Sequence, residues 1–89
     1  MTERRATILN PEGLHARLAA RLVSAASRFR AAVTLHKDGQ TADAKSIMSV
    51  LILAAGPGTE LCIRAEGDDE KQAADSIADL IRSRFGDPA

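Results

Sequence analysis

From Arg5 to Leu9 the chain alternates, with Ala6 and Ile8 on one face and Arg5 and Thr7 on the other, which predicts a short half-buried strand. Asn10-Pro11-Glu12-Gly13 ends it. Proline withdraws a ladder donor and glycine tolerates positive φ, so this tetrapeptide turns the chain and delivers Leu14 and His15 to the next element. The apolar spacing then changes to three and four: Ala19, Leu22, Val23, Ala26 and Phe29 make one stripe and predict a helix over 16–29. Val33 and Leu35 restore alternation against Thr34 and His36. Asp38-Gly39 is a favoured two-residue hairpin pair, and Gln40 to Ala44 is the returning strand, kept small by Ala42 and Ala44. Ser46 reads as the N-cap of an apolar helix over 47–55 that stops at Gly56-Pro57-Gly58. Isoleucine and valine there would also suit a strand, but the cap, the leucines and alanines and the glycine-proline stop favour a helix. Glu60 to Glu66 alternates again, with Leu61, Ile63 and Ala65 opposite Cys62 and Arg64. The last element has Asp69 and Gln72 at capping-box spacing and an apolar side of Ala73, Ile77, Leu80, Ile81 and Phe85. Arg82 and Arg84 stand near its negative end, and Gly86 and Pro88 terminate it.

The order is therefore βαββαβα. With one apolar face per element, the economical packing is an α+β fold in which three helices cover one face of an antiparallel four-stranded sheet and leave the other open to water. A chain of 89 residues has room for one domain, 1–89. Apolar residues at 45% and charged residues at 27% match ordinary globular proteins and argue against disorder. Cys62 is the only cysteine, so neither an internal disulfide nor a four-cysteine zinc site is expected, and a reducing compartment is the natural reading. Met1 to Arg5 leads into no apolar run, as a signal peptide would. The longest apolar stretch, Ile47 to Ala55, is far shorter than the ~20 residues of a membrane helix. A cytoplasmic protein without membrane insertion is expected.

Charge adds an asymmetry. Twelve basic and twelve acidic side chains cancel, and with no Trp or Tyr and only Phe29 and Phe85 a general nucleic-acid binder is disfavoured. Residues 1–37 nevertheless hold seven Lys or Arg against two acids, while residues 38–89 hold five against ten. Both histidines lie in the basic half.

Gly13-Leu14-His15-Ala16-Arg17 sets an imidazole at a helix N-terminus beside a guanidinium. Free backbone N–H groups and the positive end of the helix dipole make an anion site, and a phosphoryl group is such an anion. That end of the dipole also favours neutral imidazole, the nucleophilic form. Phosphoryl transfer passes through a loose anionic transition state, so orientation and donors suffice, and Arg17 is placed to supply donors without a metal. At about 100° per residue Arg17, Arg21, Ser24 and Arg28 fall within an arc of roughly 60° opposite the apolar stripe, a positive ridge suited to acidic partners, although such a stripe alone would be read as a solvated face.

These segments resemble the HPr phosphocarrier proteins of the bacterial phosphotransferase system, in Gly13-Leu14-His15-Ala16-Arg17, in Lys45-Ser46-Ile47-Met48 and in the spacing of all seven elements. The resemblance spans almost the whole chain. It implies an open-faced β-sandwich with strand order 1-4-2-3, phosphorylation of His15 on Nδ1 with Arg17 assisting, and no cofactor. Enzyme I is the implied donor and enzyme IIA-type proteins the acceptors, in sugar uptake or a nitrogen-linked relay; a monomer is expected. Ser46 matches a serine that a dedicated serine kinase can phosphorylate and a phosphorylase reverse, or it is a plain N-cap. Arg21, Arg28, Ile47, Met48 and Leu51 are the implied docking residues.

The chain departs from the family at Leu18, where proline usually follows the arginine, and at Ser24 and Ser27, where many relatives have lysine. Leucine restores an N–H and adds an apolar side chain near the site, with an expected effect on phosphohistidine lifetime or partner choice. His36 falls on the open face with Cys62 and Arg64 and reads as a surface residue rather than a metal ligand. Two other classes compete. A hydrolase using Ser46 or Ser24 with His15 as base lacks a recognisable nucleophile turn or oxyanion loop. A regulatory module whose phosphorylation state is read without onward transfer shares the His15 chemistry and stays open.

Overall fold

Alternation and helical periodicity reappear as seven regular elements in the computed structural model, which describes residues 1–87. They are β1 (Thr2–Thr7), α1 (Ala16–Ala26), β2 (Ala32–Lys37), β3 (Gln40–Asp43), α2 (Ile47–Leu53), β4 (Glu60–Glu66) and α3 (Glu70–Arg82), followed by a 3-10 turn over Arg84–Gly86. The strands pair antiparallel in the order β1-β4-β2-β3, as expected. Ala6, Val33, Leu35, Ala42, Leu61, Ile63 and Ala65 form the inward face of the sheet and join buried residues of all three helices in one core. The other face stays open and carries the cross-strand pair His36 and Cys62.

Several boundaries differ from the sequence reading, each because a distant side chain intervenes. β1 starts at Thr2, not Arg5: on the Ala6 face, Thr2 Oγ1 donates to Glu70 Oε2 at 2.7 Å and Arg4 Nε to Asp75 Oδ1 at 2.7 Å, so α3 supplies polar partners that hydropathy does not reveal. Helix α1 stops at Ala26, three residues before Phe29. Its last turn tightens, with Phe29 N donating to Ala26 O at 3.2 Å, because the following amides of Arg30 and Ala31 are held by the Asp69 carboxylate at 3.0 and 2.8 Å. The expected Asp69–Gln72 capping box therefore does not form. Asp69 makes no cap bond, and Glu70 Oε1 accepts from Gly67 N at 3.2 Å instead.

Helix α2 begins as expected, with Ser46 Oγ accepting from Ser49 N at 3.3 Å, but it ends at Ala54 in the left-handed conformation, before Gly56. Lys37 Nζ donates to Leu53 O and Ala54 O at 3.1 and 3.2 Å, satisfying the last carbonyls and favouring that early end. Phe85 is not on the α3 stripe. The helix ends at Arg82, and Arg84 and Phe85, both at positive φ, fold the Phe85 ring back into the core. Leu80 is only partly buried, whereas Ala74 and Ala78 join the core. Pro88, expected to help end this element, lies outside the described residues.

Candidate functional site

A tight loop fixes His15. Gly13 N donates to Asn10 O at 2.9 Å, closing the turn that the sequence indicated, and Leu14 N donates to Ala55 O at 2.8 Å, pinning the loop to the segment after α2. Only glycine fits between them. Gly13 has φ +70°, and a Cβ there would lie 2.8 Å from Ala55 O and 2.9 Å from Gly56 Cα. The Leu14 side chain is buried, so the following residue faces outward.

His15 is itself the N-cap of α1, in extended conformation, and its side chain makes no capping bond. Its carbonyl accepts from Ala19 N at 2.8 Å, the first helical bond, so the amides of the first turn are left without a side-chain cap. The imidazole is 30% exposed, and its Nε2 lies 3.6 Å from Glu12 Oε2, too long for a hydrogen bond but close enough to place a negative charge on that edge of the ring. Sequence reading did not single out Glu12.

The two arginines that follow His15 on α1 are already engaged. Arg17 Nη1 and Nη2 donate to Asp87 Oδ1 and Oδ2 at 3.0 and 2.6 Å, a bidentate pair. Arg21 Nη1 donates to the same Oδ1 at 2.9 Å and to Phe85 O at 2.7 Å. Arg17 foremost, then Arg21, hold the Asp87 carboxyl down at about 2 against the drying effect of partial burial, while Asp87 raises the Arg17 guanidinium above its ordinary value. Asn10 Nδ2 donates to Arg84 O at 3.0 Å, so the turn before His15 and the Arg84–Asp87 segment are linked. Asn10 Oδ1 is buried with no hydrogen-bond partner among the described residues. Asp87 was missed from the sequence; the only signal was an acidic side chain in the acidic half of a chain whose first helix is basic.

Other expected site residues divide. Arg28 is exposed, but α1 ends at Ala26, so it lies in the turn after the helix and not on the expected helical ridge with Arg17 and Arg21. Leu18 is wholly buried, one residue from the buried Ala19 and one turn before Leu22 in the core stripe. On α2, Ile47 and Met48 are exposed at 44% and 68%, but Leu51 packs against the core and Ile52, not singled out beforehand, is exposed at 74%. The helix turns Ile52 outward because Val50 and Leu53 take the inward positions. Ser46 is half-buried at the start of that helix. On the open face, His36 is hydrogen-bonded through Nε2 to Thr34 Oγ1 at 2.8 Å and through Nδ1 to Thr41 Oγ1 at 3.2 Å. Burial first and the Arg64 charge second push its pKa below the usual histidine range. Cys62 Sγ donates to Glu3 Oε2 at 3.3 Å. Neither is near the His15 loop, since the helices and that loop lie on the opposite side of the sheet.

A family model described as "PTS HPr component phosphorylation site" matches residues 2–83. The phosphocarrier protein HPr of Cupriavidus necator is 44% identical over 87 residues, covering 98% of each chain. The crystal structure of HPr-C-His from Thermoanaerobacter tengcongensis superposes with a TM-score of 0.96 at 42% identity over all of both chains. The Bacillus subtilis catabolite-repression protein Crh, crystallised as a domain-swapped dimer, is 38% identical with a TM-score of 0.76, covering 94% of this chain and 97% of that one.

Proposed function

The chain belongs to the HPr family of phosphocarrier proteins of the phosphotransferase system, and on that premise we propose that His15 takes a phosphoryl group originating in phosphoenolpyruvate from enzyme I and gives it to enzyme IIA-type proteins. The observation that carries this reading is the His15 imidazole standing unused at the uncapped start of α1, on a loop pinned through Gly13 and Leu14. The Nδ1 lone pair forms the N–P bond while the bond from phosphorus to the donor breaks and its electron pair returns to the donor. The ring proton stays on Nε2, and the Glu12 carboxylate beside that nitrogen favours it there. First-turn amides and the helix dipole offset the charge on the bound group. Residues 1–89 act as one domain, stoichiometrically and in the cytoplasm, as a monomer and without a cofactor or metal.

Docking falls to the surface beside the acceptor: Arg21 on α1, Arg28 in the turn after it, and Ile47, Met48 and Ile52 on α2, with Leu51 supporting them from beneath. Exposed methionine and isoleucine supply contact area, and the arginines steer acidic partners. Phosphorylation of Ser46 by a serine kinase, reversed by a phosphorylase, is tolerated at this site because the helix dipole welcomes the phosphate, which reverses the local charge that an acidic partner meets.

Incubation with enzyme I and labelled phosphoenolpyruvate tests the reading. Acid-labile label on one imidazole is expected, and His15→Ala should abolish it; label elsewhere, or none, would overturn it. The second reading, a regulatory module without onward transfer, is favoured by the likeness to Crh, a protein described as acting in catabolite repression. Movement of label from this protein to a IIA-type acceptor separates the two.

A further inference from the structure

Among the described residues the Glu12 carboxylate has one basic partner within 4 Å, Nε2 of the His15 ring at 3.6 Å. The backbone beneath this pair is fixed. Gly13 N donates to Asn10 O at 2.9 Å, so Asn10-Pro11-Glu12-Gly13 is a β-turn with Pro11, whose ring locks φ, and Glu12 at its two central positions. Gly13 at φ +70° then swings the chain round, and His15 N donates to Gly13 O at 3.0 Å, which brings the two side chains together. The Glu12 side chain itself is 77% exposed and unpacked, free to close the remaining gap of about 0.5 Å to hydrogen-bonding range.

The other charged groups at this end of the molecule are committed elsewhere. Arg17 and Arg21 on α1 both donate to Asp87, and Asn10 holds the carbonyl of Arg84. Helix α2, over Ile47–Leu53, contributes no charged side chain. With Asp87 depressed to about 2 and the guanidiniums cationic throughout, none of these groups changes charge between pH 5.5 and 9.

We propose that Glu12 is a positioning residue for donation: it holds a proton on Nε2 after His15 has been phosphorylated and so keeps the phosphoryl group easy to give away. The proposal rests on the acceptor role of His15. With phosphorus on Nδ1 and hydrogen on Nε2 the ring is a cation, and its charge draws the neighbouring carboxylate into a charge-assisted hydrogen bond. In the donation step the Nδ1–P bond breaks, its electron pair returns to Nδ1, and phosphorus bonds to the nucleophile of the acceptor. With the Nε2 proton in place the departing ring is neutral imidazole. Without it the departing ring would be an imidazolide anion, a far poorer leaving group. Glu12 stands on the edge of the ring away from the phosphorylated nitrogen, so it acts on the proton more than on the phosphoryl group.

Glu12→Gln tests this, since it keeps the shape, removes the charge and, at so exposed a position, should leave Tm unchanged. Native protein and variant are labelled by enzyme I and phosphoenolpyruvate, and loss of label to water is followed from pH 5.5 to 9. The two should lose label equally at pH 5.5, where both rings are protonated. At pH 9 the variant should lose it about three-fold more slowly, the factor given by roughly half a pH unit of added proton affinity, which an exposed ion pair supplies. Glu12→Asp should fall between them. Superimposable profiles would overturn the proposal. So would a ratio that is the same at every pH, because it marks repulsion between carboxylate and phosphoryl group rather than a held proton. If His15 takes no label at all, the acceptor reading fails, and nitrogen NMR of the unmodified ring still decides the role of Glu12: the Nδ1–H tautomer should rise about three-fold in Glu12→Gln, and an unchanged tautomer ratio would remove that role.

Discussion

Substituting Gly13 by alanine isolates how the loop positions His15, because a second glycine provides the control. At Gly39, φ is +81° and an added Cβ meets nothing within 4 Å, so Gly39→Ala carries backbone strain alone. That strain is about 1–2 kcal/mol, partly offset by the ~0.4–1 kcal/mol that alanine gains by restricting the unfolded chain, leaving a net cost near 1 kcal/mol. Gly13→Ala carries the same strain at φ +70° and adds a contact of 2.8 Å with Ala55 O, a backbone atom that can give way only if the loop retreats. Retreat breaks the 2.8 Å bond from Leu14 N to that same oxygen. Leaving those groups unpaired costs about 1–3 kcal/mol, so Gly13→Ala should exceed Gly39→Ala by ~2 kcal/mol, or roughly 8–16 °C in Tm for a domain of this size. A displacement of about 1 Å at a reacting group can cost on the order of 10²-fold in rate. Thermal and urea unfolding should therefore be paired with the rate of label uptake from enzyme I, normalised to folded protein. Two variants within about 0.5 kcal/mol of each other, or a destabilised Gly13→Ala with native uptake, would refute the view that the close approach of Gly13 to Ala55 sets the imidazole in place.

Leu18 is wholly buried, so Leu18→Ala should lose about 2–5 kcal/mol, measured by urea unfolding; Leu18→Pro, which breaks no α1 bond because the Leu18 amide lies in the uncapped first turn, should lose less and show its effect in the phosphohistidine decay rate. Asp87 should titrate at about 2 by carboxyl-carbon NMR, and Arg17→Ala should move the midpoint up towards 3.8. Because the folded value is the depressed one, the clamp's contribution is present above the ordinary carboxylate range and fades as pH falls from about 3.8 to about 2, so stability above pH 5 should not respond to it. Met48→Asp and Ile52→Asp should leave Tm within about 2–4 °C of native, as exposed positions do, yet weaken transfer to partners on the order of ten-fold, read as a rise in KM for the carrier.

Much of the architecture was legible because it is written in short-range repeats. Alternation marked β2 and β4 to within a residue, the stripe of Ala19, Leu22 and Ala26 marked α1, and Asp38-Gly39 marked the hairpin, where both residues do take positive φ. The Asn10–Gly13 turn and the place of His15 at a helix start needed nothing beyond the local chemistry of proline and glycine. The cap by Ser46 was equally local.

What escaped the sequence depends on partners far along the chain. Thr2 and Arg4 belong to β1 because of Glu70 and Asp75, α1 ends early because Asp69 holds the amides after it, and Arg17 and Arg21 meet Asp87 across some seventy residues. Hydropathy periods record which face a residue presents, not which polar side chain waits opposite, so a sequence can place an arginine on a ridge and still not say that a carboxylate already fills its fork. The order of residues by itself settled which elements form and that His15 stands at a helix start. Only the tertiary structure decided which charges beside it are free, because ion pairs form between whatever groups the packing of the core brings within reach.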